Sequence, residues 1–195
     1  MTTLDTLFAE IRRCRLCADG FEHEPRPVLR GRRSARILVV GQAPGSRVHA
    51  TGIPFNDPSG VRLREWMGVS DQTFYDESRI ALLPMAFCFP GSAKGGDLPP
   101  PLICAQTWRA RLLAALPNVE FTLLVGRYAI DWHLPDYKSR SIADTVSHWK
   151  TMLPYKLAMP HPSPRNNRWL KNHAWFERDC VPVLRRRVAE ILRRA

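Results

Sequence analysis

The chain has 195 residues, of which 45% are hydrophobic, and its 29 lysines and arginines outnumber 18 aspartates and glutamates to give a formal charge of +11. That length and apolar content suit a single globular domain over residues 1–195 with a substantial core. No apolar run approaches the ~20 residues that cross a bilayer, and Met1-Thr2-Thr3-Leu4-Asp5 lacks a basic stretch followed by an apolar one. The expectation is a soluble, cytoplasmic monomer with no membrane partner.

The positive surplus points to a polyanion, and nucleic acid leads, because the planar fork of arginine matches phosphate oxygens. A merely basic surface is the plain alternative. An anionic membrane surface fits less well, since no strongly amphipathic basic helix stands alone.

Leu4, Leu7, Phe8 and Ile11 recur at helical spacing and predict a short helix leading into Cys14. Residues 18–34, with Pro25, Pro27 and the run Arg30-Gly31-Arg32-Arg33, read as an irregular surface segment, either approaching phosphates or solvated. Ile37 to Val40 has the β-branched content of a buried strand, and it empties into the turn Gly41-Gln42-Ala43-Pro44-Gly45. In open α/β sheets such a carboxyl end is where ligands bind. A second turn-rich piece, Gly52 to Gly60, puts Phe55, Asn56 and Asp57 beside the first turn, before a helix beginning near Ser59 with Leu63, Trp66 and Met67 on one face.

Residues 79–87 predict a second buried strand, which ends or bulges at Pro84 because proline removes a ladder donor. A long loop follows to Pro101. Loops of that length tend to be functional or tied down. Ile103 to Leu116 predicts a helix, Phe121 to Val125 a third strand ending at Gly126, and further helices occupy Tyr128 to Leu134 and Ile142 to Trp149. Tyr155 to Met159 is a fourth strand that delivers Pro160-His161-Pro162-Ser163-Pro164-Arg165-Asn166 to the surface. From Trp169 to the end the chain reads as helical, with Phe176, Val181, Val183, Leu184, Val188 and Leu192 inside and the arginines at 185–187 and 193–194 on a solvated face. Strand-helix alternation of this kind predicts a parallel sheet with helices on both faces.

Structural disulfides are not expected in a cytoplasmic chain. Cys14 and Cys17 form a CxxC, and Cys88 and Cys104 flank the long loop, so two pairs can supply four thiolates to one metal centre. Either an iron-sulfur cluster or zinc fits that donor set. Cys180 stands alone in the C-terminal helix and is assigned to the core.

The ordered set GQAPG, then GIPF beginning at Gly52, then HPSPRN, resembles the uracil-DNA glycosylase superfamily, with the closest likeness to the iron-sulfur family 4 enzymes. Those enzymes carry GEAPG, GxPF and HPS, and hold a [4Fe-4S] cluster on cysteines spaced like Cys14, Cys17, Cys88 and Cys104. The resemblance spans Cys14 to His161. It implies a three-layer α/β/α fold around a four-stranded parallel sheet, a site that cuts the bond between a flipped-out base and deoxyribose in DNA, and a [4Fe-4S] cluster with zinc as the other occupant.

Carried across position by position, Phe55 stacks on the base and His161 supports the negative charge on the departing base. Gly41, Ala43, Pro44 and Gly45 form the pocket floor. Pro162 and Ser163 match the loop that pinches the DNA backbone, and Arg165 lies near where a side chain fills the space the base vacates. Three positions depart from the pattern. Gln42 stands where family 4 has its catalytic glutamate, His49 replaces an aspartate, and Pro84 occupies the place of the asparagine that reads the uracil edge.

Glycosidic cleavage puts positive charge on the sugar and negative charge on the base. His161 can donate to the anion, Gln42 can orient water through its amide oxygen, and Asp57 is the candidate for positioning water or facing the sugar. Asn56 is the candidate for contacting the base in place of the missing asparagine. Each residue also has a plain role: His161 bonded to backbone, Phe55 in the core, Asp57 as the cap of the following helix, Asp97 as a turn residue. The leading expectation is a DNA glycosylase acting on uracil or another deaminated or damaged base. The alternative is a nucleic-acid-binding member with little or no turnover.

Overall fold

The computed structural model describes residues 3–194. Helix α1 (Leu4–Arg12) leads through an irregular stretch to β1 (Ile37–Val40), followed by α2 (Ser46–Thr51), α3 (Pro58–Met67), α4 (Asp71–Phe74) and β2 (Ile80–Leu82). A small hairpin, β3 (Ser92–Ala93) and β4 (Gly96–Asp97), precedes α5 (Leu102–Ala114), β5 (Phe121–Val125) and α6 (Arg127–His133). Helices α7 (Ile142–Ser147) and α8 (Trp149–Met152), strand β6 (Lys156–Met159), α9 (Asn167–Asn172) and α10 (Val181–Arg193) complete the chain.

The main sheet runs in the order β2-β1-β5-β6, and every pairing is parallel. All four β1 side chains are buried on both faces, which is why the strand reads as unbroken Ile-Leu-Val-Val and not as an alternation. With helices on both faces, the result is a three-layer α/β/α fold. The chain leaves β1 for β2 on one side, then crosses to β5 on the other. The crossover directions therefore reverse at β1, and the carboxyl ends of β1 and β5 open the crevice that such a reversal creates.

Several elements differ from the sequence expectation. Strand β2 is only three residues long, because Pro84 has no N–H to extend the ladder, although the Leu83 N–H still donates to the Val39 carbonyl at 3.0 Å and the Met85 N–H to the Gly41 carbonyl at 2.9 Å. Residues 18–34 do not simply lie over the surface. The Val28 N–H donates to the Phe87 carbonyl at 2.7 Å, and Arg30 and Leu82 exchange backbone hydrogen bonds at 3.1 and 2.8 Å, so this segment covers the exposed edge of β2. The C-terminal helix is not continuous either, since α9 ends at Asn172 and a π-turn (Phe176–Cys180) feeds α10. Its inner face is the expected one, with Phe176, Val181, Leu184, Val188 and Leu192 buried and Cys180 in the core.

Arg186 and Arg193 on α10's outer side are exposed as expected, whereas two of their neighbours are engaged with backbone. Arg185 donates through Nε and Nη2 to the Glu65 carbonyl, and Arg187 through Nε to the Pro154 carbonyl. They tie α10 to α3 and to the chain ahead of β6 by hydrogen bonds to backbone carbonyls.

Candidate active site

A cleft of about 520 Å³ opens at the carboxyl ends of the strands. The turn Gly41-Gln42-Ala43-Pro44-Gly45 forms one wall, and His161, Ser163, Arg165 and Asn166 form the facing one. Phe55, Asp57, Pro84 and Asp97 also line it. Backbone bonds fix the first wall, with the Met85 N–H donating to the Gly41 carbonyl at 2.9 Å and the Ala86 N–H to the Gln42 carbonyl at 3.1 Å. The turns after β1 and β6, far apart in sequence, thus share one cavity of a size that admits a nucleobase.

Phe55 is held in a left-handed backbone conformation, φ 54°, which is costly for an aromatic residue and persists only where the surroundings impose it. The Arg64 guanidinium donates to the Phe55 carbonyl at 3.1 Å, and the Tyr75 hydroxyl donates to the Pro54 carbonyl at 3.0 Å. Arg64 is itself buried, paired with Asp71 at 2.7 Å and lying over the Phe74 and Tyr75 rings. Gly60 is required here, since a Cβ at that position would overlap the Phe55 carbonyl oxygen. The Phe55 ring lies across Gly41, whose own Cβ would be 3.0 Å from it, and meets Phe74 edge-on. The tip of the ring thus packs against the first wall, and the residue borders the cleft.

His161 is held by its loop. The Ser163 N–H donates to His161 Nδ1 at 3.2 Å, and the Asn166 amide donates to the His161 carbonyl at 2.7 Å. An Nδ1 that accepts carries no proton, so the neutral ring bears its proton on Nε2 and has a donor there. Burial pushes the His161 pKa below the ordinary histidine value, with Asp57 and Asp97 opposing that shift. The imidazole is therefore neutral near pH 7 and can donate one hydrogen bond without first gaining a proton.

The remaining sequence candidates fall into two groups. Gln42 reaches across the cleft, its Nε2 donating to the Leu98 carbonyl at 3.3 Å. Asp57 borders the cleft but also caps α3, its Oδ1 accepting from the Gly60 N–H at 3.0 Å. Ser163 caps the turn that follows it, accepting from the Arg165 N–H at 3.3 Å.

Asn56 is not among the cleft-lining residues. Its Nδ2 donates to the Thr51 hydroxyl at 2.9 Å, because the left-handed turn at Phe55 swings the next side chain toward the end of α2. Pro162 is outside the lining as well, and its carbonyl accepts from Arg62. Arg62, which also reaches the Ser163 carbonyl and Asn167, ties α3 to the His161 loop. Neither Arg62 nor Arg64 stood out in the sequence, where both read as the polar side of an amphipathic helix. His49 turns from the cleft and packs against His23 and Phe89, at 4.3 and 5.9 Å between ring centres.

Cys14, Cys17, Cys88 and Cys104 line a separate small cavity of about 20 Å³, together with Ile11, Phe87 and Trp108. Burial, then the nearby Cys104, pushes the Cys88 thiol up to about 12, and burial pushes Cys104 up to about 11. The nearby Arg26 and Phe87 backbones oppose those shifts at Cys88 and Cys104 respectively. Among the described residues, no group of three or more His, Cys, Asp or Glu side chains closes tightly enough to hold a lone metal ion.

The site thus combines a parallel sheet, a nucleobase-sized cleft at its switch point, an aromatic side chain beside the cleft and a histidine held neutral by burial. The family model described as the uracil DNA glycosylase superfamily matches residues 30–185. The chain belongs to that superfamily, which acts on DNA and generally comprises DNA glycosylases.

Proposed function

We propose that this protein is a DNA N-glycosylase that hydrolyses the bond between deoxyribose and uracil or another deaminated or damaged base. The observation that carries the reading is the Ser163 N–H bond to His161 Nδ1, which fixes the ring's free proton on Nε2 within a cleft floored by Phe55. A base inside a duplex is out of reach, so the substrate nucleotide is extruded at a cost of a few kcal/mol that a damaged or mispaired base lowers. Phe55 stacks on the extruded ring and His161 donates to the oxygen where charge accumulates as the bond breaks. Asp57 keeps negative charge near His161, and Gln42 orients water through its amide oxygen. Gly41, Ala43, Pro44 and Gly45 give the ring a flat backbone floor, and Ser163 and Arg165 face the DNA.

Pro84 offers no amide to read a pyrimidine edge, which favours a broader choice of bases than uracil alone. Cys14, Cys17, Cys88 and Cys104 line one cavity and supply four thiols, a donor set that suits a [4Fe-4S] cluster, with zinc as the other occupant. Such a cluster would be structural, pinning α1 and the loop after Cys88. A second reading, DNA binding with little turnover, is favoured by one observation: Gln42 is uncharged and its amide is committed to the Leu98 carbonyl.

The test is purified protein incubated with single- and double-stranded oligonucleotides carrying uracil, hypoxanthine, xanthine or oxidised pyrimidines. Free base and an abasic site are expected. Salt-sensitive binding to all of them without base release would establish the second reading in its place.

A further inference from the structure

Glycosidic cleavage leaves a cationic sugar, and a carboxylate is the side chain suited to face it. Position 42 supplies only an amide. We propose that Asp97, carried on the β3–β4 hairpin, is the carboxylate that faces the cationic sugar in this protein, an inference that rests on the glycosylase reading above.

Four contacts bring Asp97 to the cleft. Gln42 Nε2 donates to the carbonyl of Leu98, so the residue that lacks the charge binds the backbone next to the one that has it. The Ser92 hydroxyl donates to Asp97 Oδ1 at 3.0 Å, across the hairpin, and fixes the carboxylate's orientation. The other oxygen, Oδ2, lies against Gly45 on the cleft wall, 3.2 Å from where a Cβ at that residue would be. Gly45 has φ −82° and ψ 176°, a conformation open to any residue, so backbone freedom is not what makes glycine suit this position. The close approach of a carboxylate is. On the other side, the Arg165 guanidinium lies close against Gly96, where any Cβ would overlap it, so the hairpin and the His161 loop meet there.

Asp57 is the competing carboxylate, and its geometry serves a different end. Its Oδ1 accepts from Gly60 at the start of α3, and it lies in the segment that carries Phe55. Asp97 instead borders the turn after β1, next to Gln42, the position that carries the glutamate in family 4. It is also close enough to His161 to favour that ring's protonated form. In the step assigned here, the C1′–N bond breaks and its electron pair leaves with the base, whose developing charge His161 Nε2–H stabilises. Asp97 stabilises the cationic C1′, water adds to C1′ through oxygen, its proton passes to Asp97, and that proton then returns through solvent to the base anion.

Asp97→Asn tests this, because an amide oxygen still accepts from Ser92 and only the charge is lost. Under single-turnover conditions with DNA bound, base release is expected to fall by roughly 100-fold or more while the DNA dissociation constant stays within about threefold. Asp57→Asn, which retains the cap, is expected to fall by less than about tenfold. Gly45→Ala should slow the wild type and have little further effect in Asp97→Asn, a non-additivity that a general packing defect would not produce. Base release by Asp97→Asn within about threefold of wild type, or a deeper loss in Asp57→Asn than in Asp97→Asn, overturns the assignment while leaving the glycosylase reading standing. A wild-type protein that releases no base from any oligonucleotide overturns both.

Discussion

The base cleft and the cysteine cavity lie in the same molecule and are built on opposite principles. The cleft, about 520 Å³, is walled by turns that leave β1 and β6, and backbone bonds from Met85, Ala86 and Ser163 fix its walls before any ligand arrives. The cysteine cavity, about 20 Å³, is gathered from the chain just past α1, the segment after β2 and the first turn of α5, with no strand among them. Its two most buried thiols are held protonated by burial, at about 12 and about 11, so the thiolate form there depends on a cation to balance it. The sheet dictates the shape of one site, and loops and helix ends that leave no strand at it surround the other. They meet in the β3–β4 hairpin, which lies between Cys88 and Cys104 in the chain and ends at Asp97 beside the cleft.

The largest effect is expected in the cleft. His161→Ala removes the donor that meets charge as it develops, and base release should fall by roughly 10²–10³-fold, while DNA affinity changes by no more than about twofold. Equal losses of rate and affinity, measured by single-turnover cleavage and titration of labelled DNA, would show that the residue serves the loop and not the chemistry. Next comes Cys17→Ser, which should lower the melting temperature and raise amide exchange across residues 89–101, with base release reduced by about tenfold through the loosened hairpin. His161→Ala should leave exchange in that segment unchanged. The wild-type protein should be brown, with the broad visible absorption of an iron-sulfur cluster; a colourless preparation with one equivalent of zinc would reassign the cavity.

Phe55→Ala should cost about tenfold in base release, since stacking one base on an aromatic ring is worth ~1–3 kcal/mol. Its thermal stability should drop by less than the ~3–5 kcal/mol usual for Phe→Ala in a core. Phe55 sits at φ 54° and only part of its ring is packed, so truncation removes limited buried contact. A full core-sized loss would mean that Phe55 is chiefly a packing residue.

These contrasts explain what was legible in the sequence. Ile37–Val40 and Phe121–Val125 were readable as strands because buried parallel strands are continuously apolar, and both match the observed bounds. The turns after β1 and β6 carry their chemistry in contiguous residues, so Gln42, Phe55 and His161 could be named from local pattern, and they do line one cleft. The hairpin could not be read. Two residues of strand on either side of Lys94 and Gly95 give no periodicity, and the hydrogen bond that ties it to the cleft comes from Gln42, which is not local to it. Arg62 and Arg64 were hidden for the same reason, since a helical pattern shows that a side chain is polar but not which distant carbonyl it binds. Asn56 erred in the other direction. Adjacency to Phe55 suggested a shared role, and a single left-handed residue turned the two side chains apart.

The smallest effect concerns acid, and it separates the scaffold from both sites. His133, at the end of α6, is pushed down to about 3 by burial first and then by the nearby Arg109 and Lys156, and its Nε2 has no hydrogen-bond partner among the described residues. A histidine whose folded pKa lies below its unfolded value binds fewer protons folded than unfolded between those two values. Its contribution is fully present above about pH 6.5 and drains away as pH falls from 6.5 toward about 3. His161 is shifted in the same direction, so its share is lost over a window that also starts below its ordinary value. Wild-type melting temperature should therefore decline on acidification from pH 7 to 4. His133→Asn should flatten that decline and leave base release at pH 7 within about twofold of wild type, because α6 contributes no residue to the cleft. If the decline persists unchanged in His133→Asn but is flattened in His161→Asn, the acid-sensitive element is the His161 loop of the cleft and not α6.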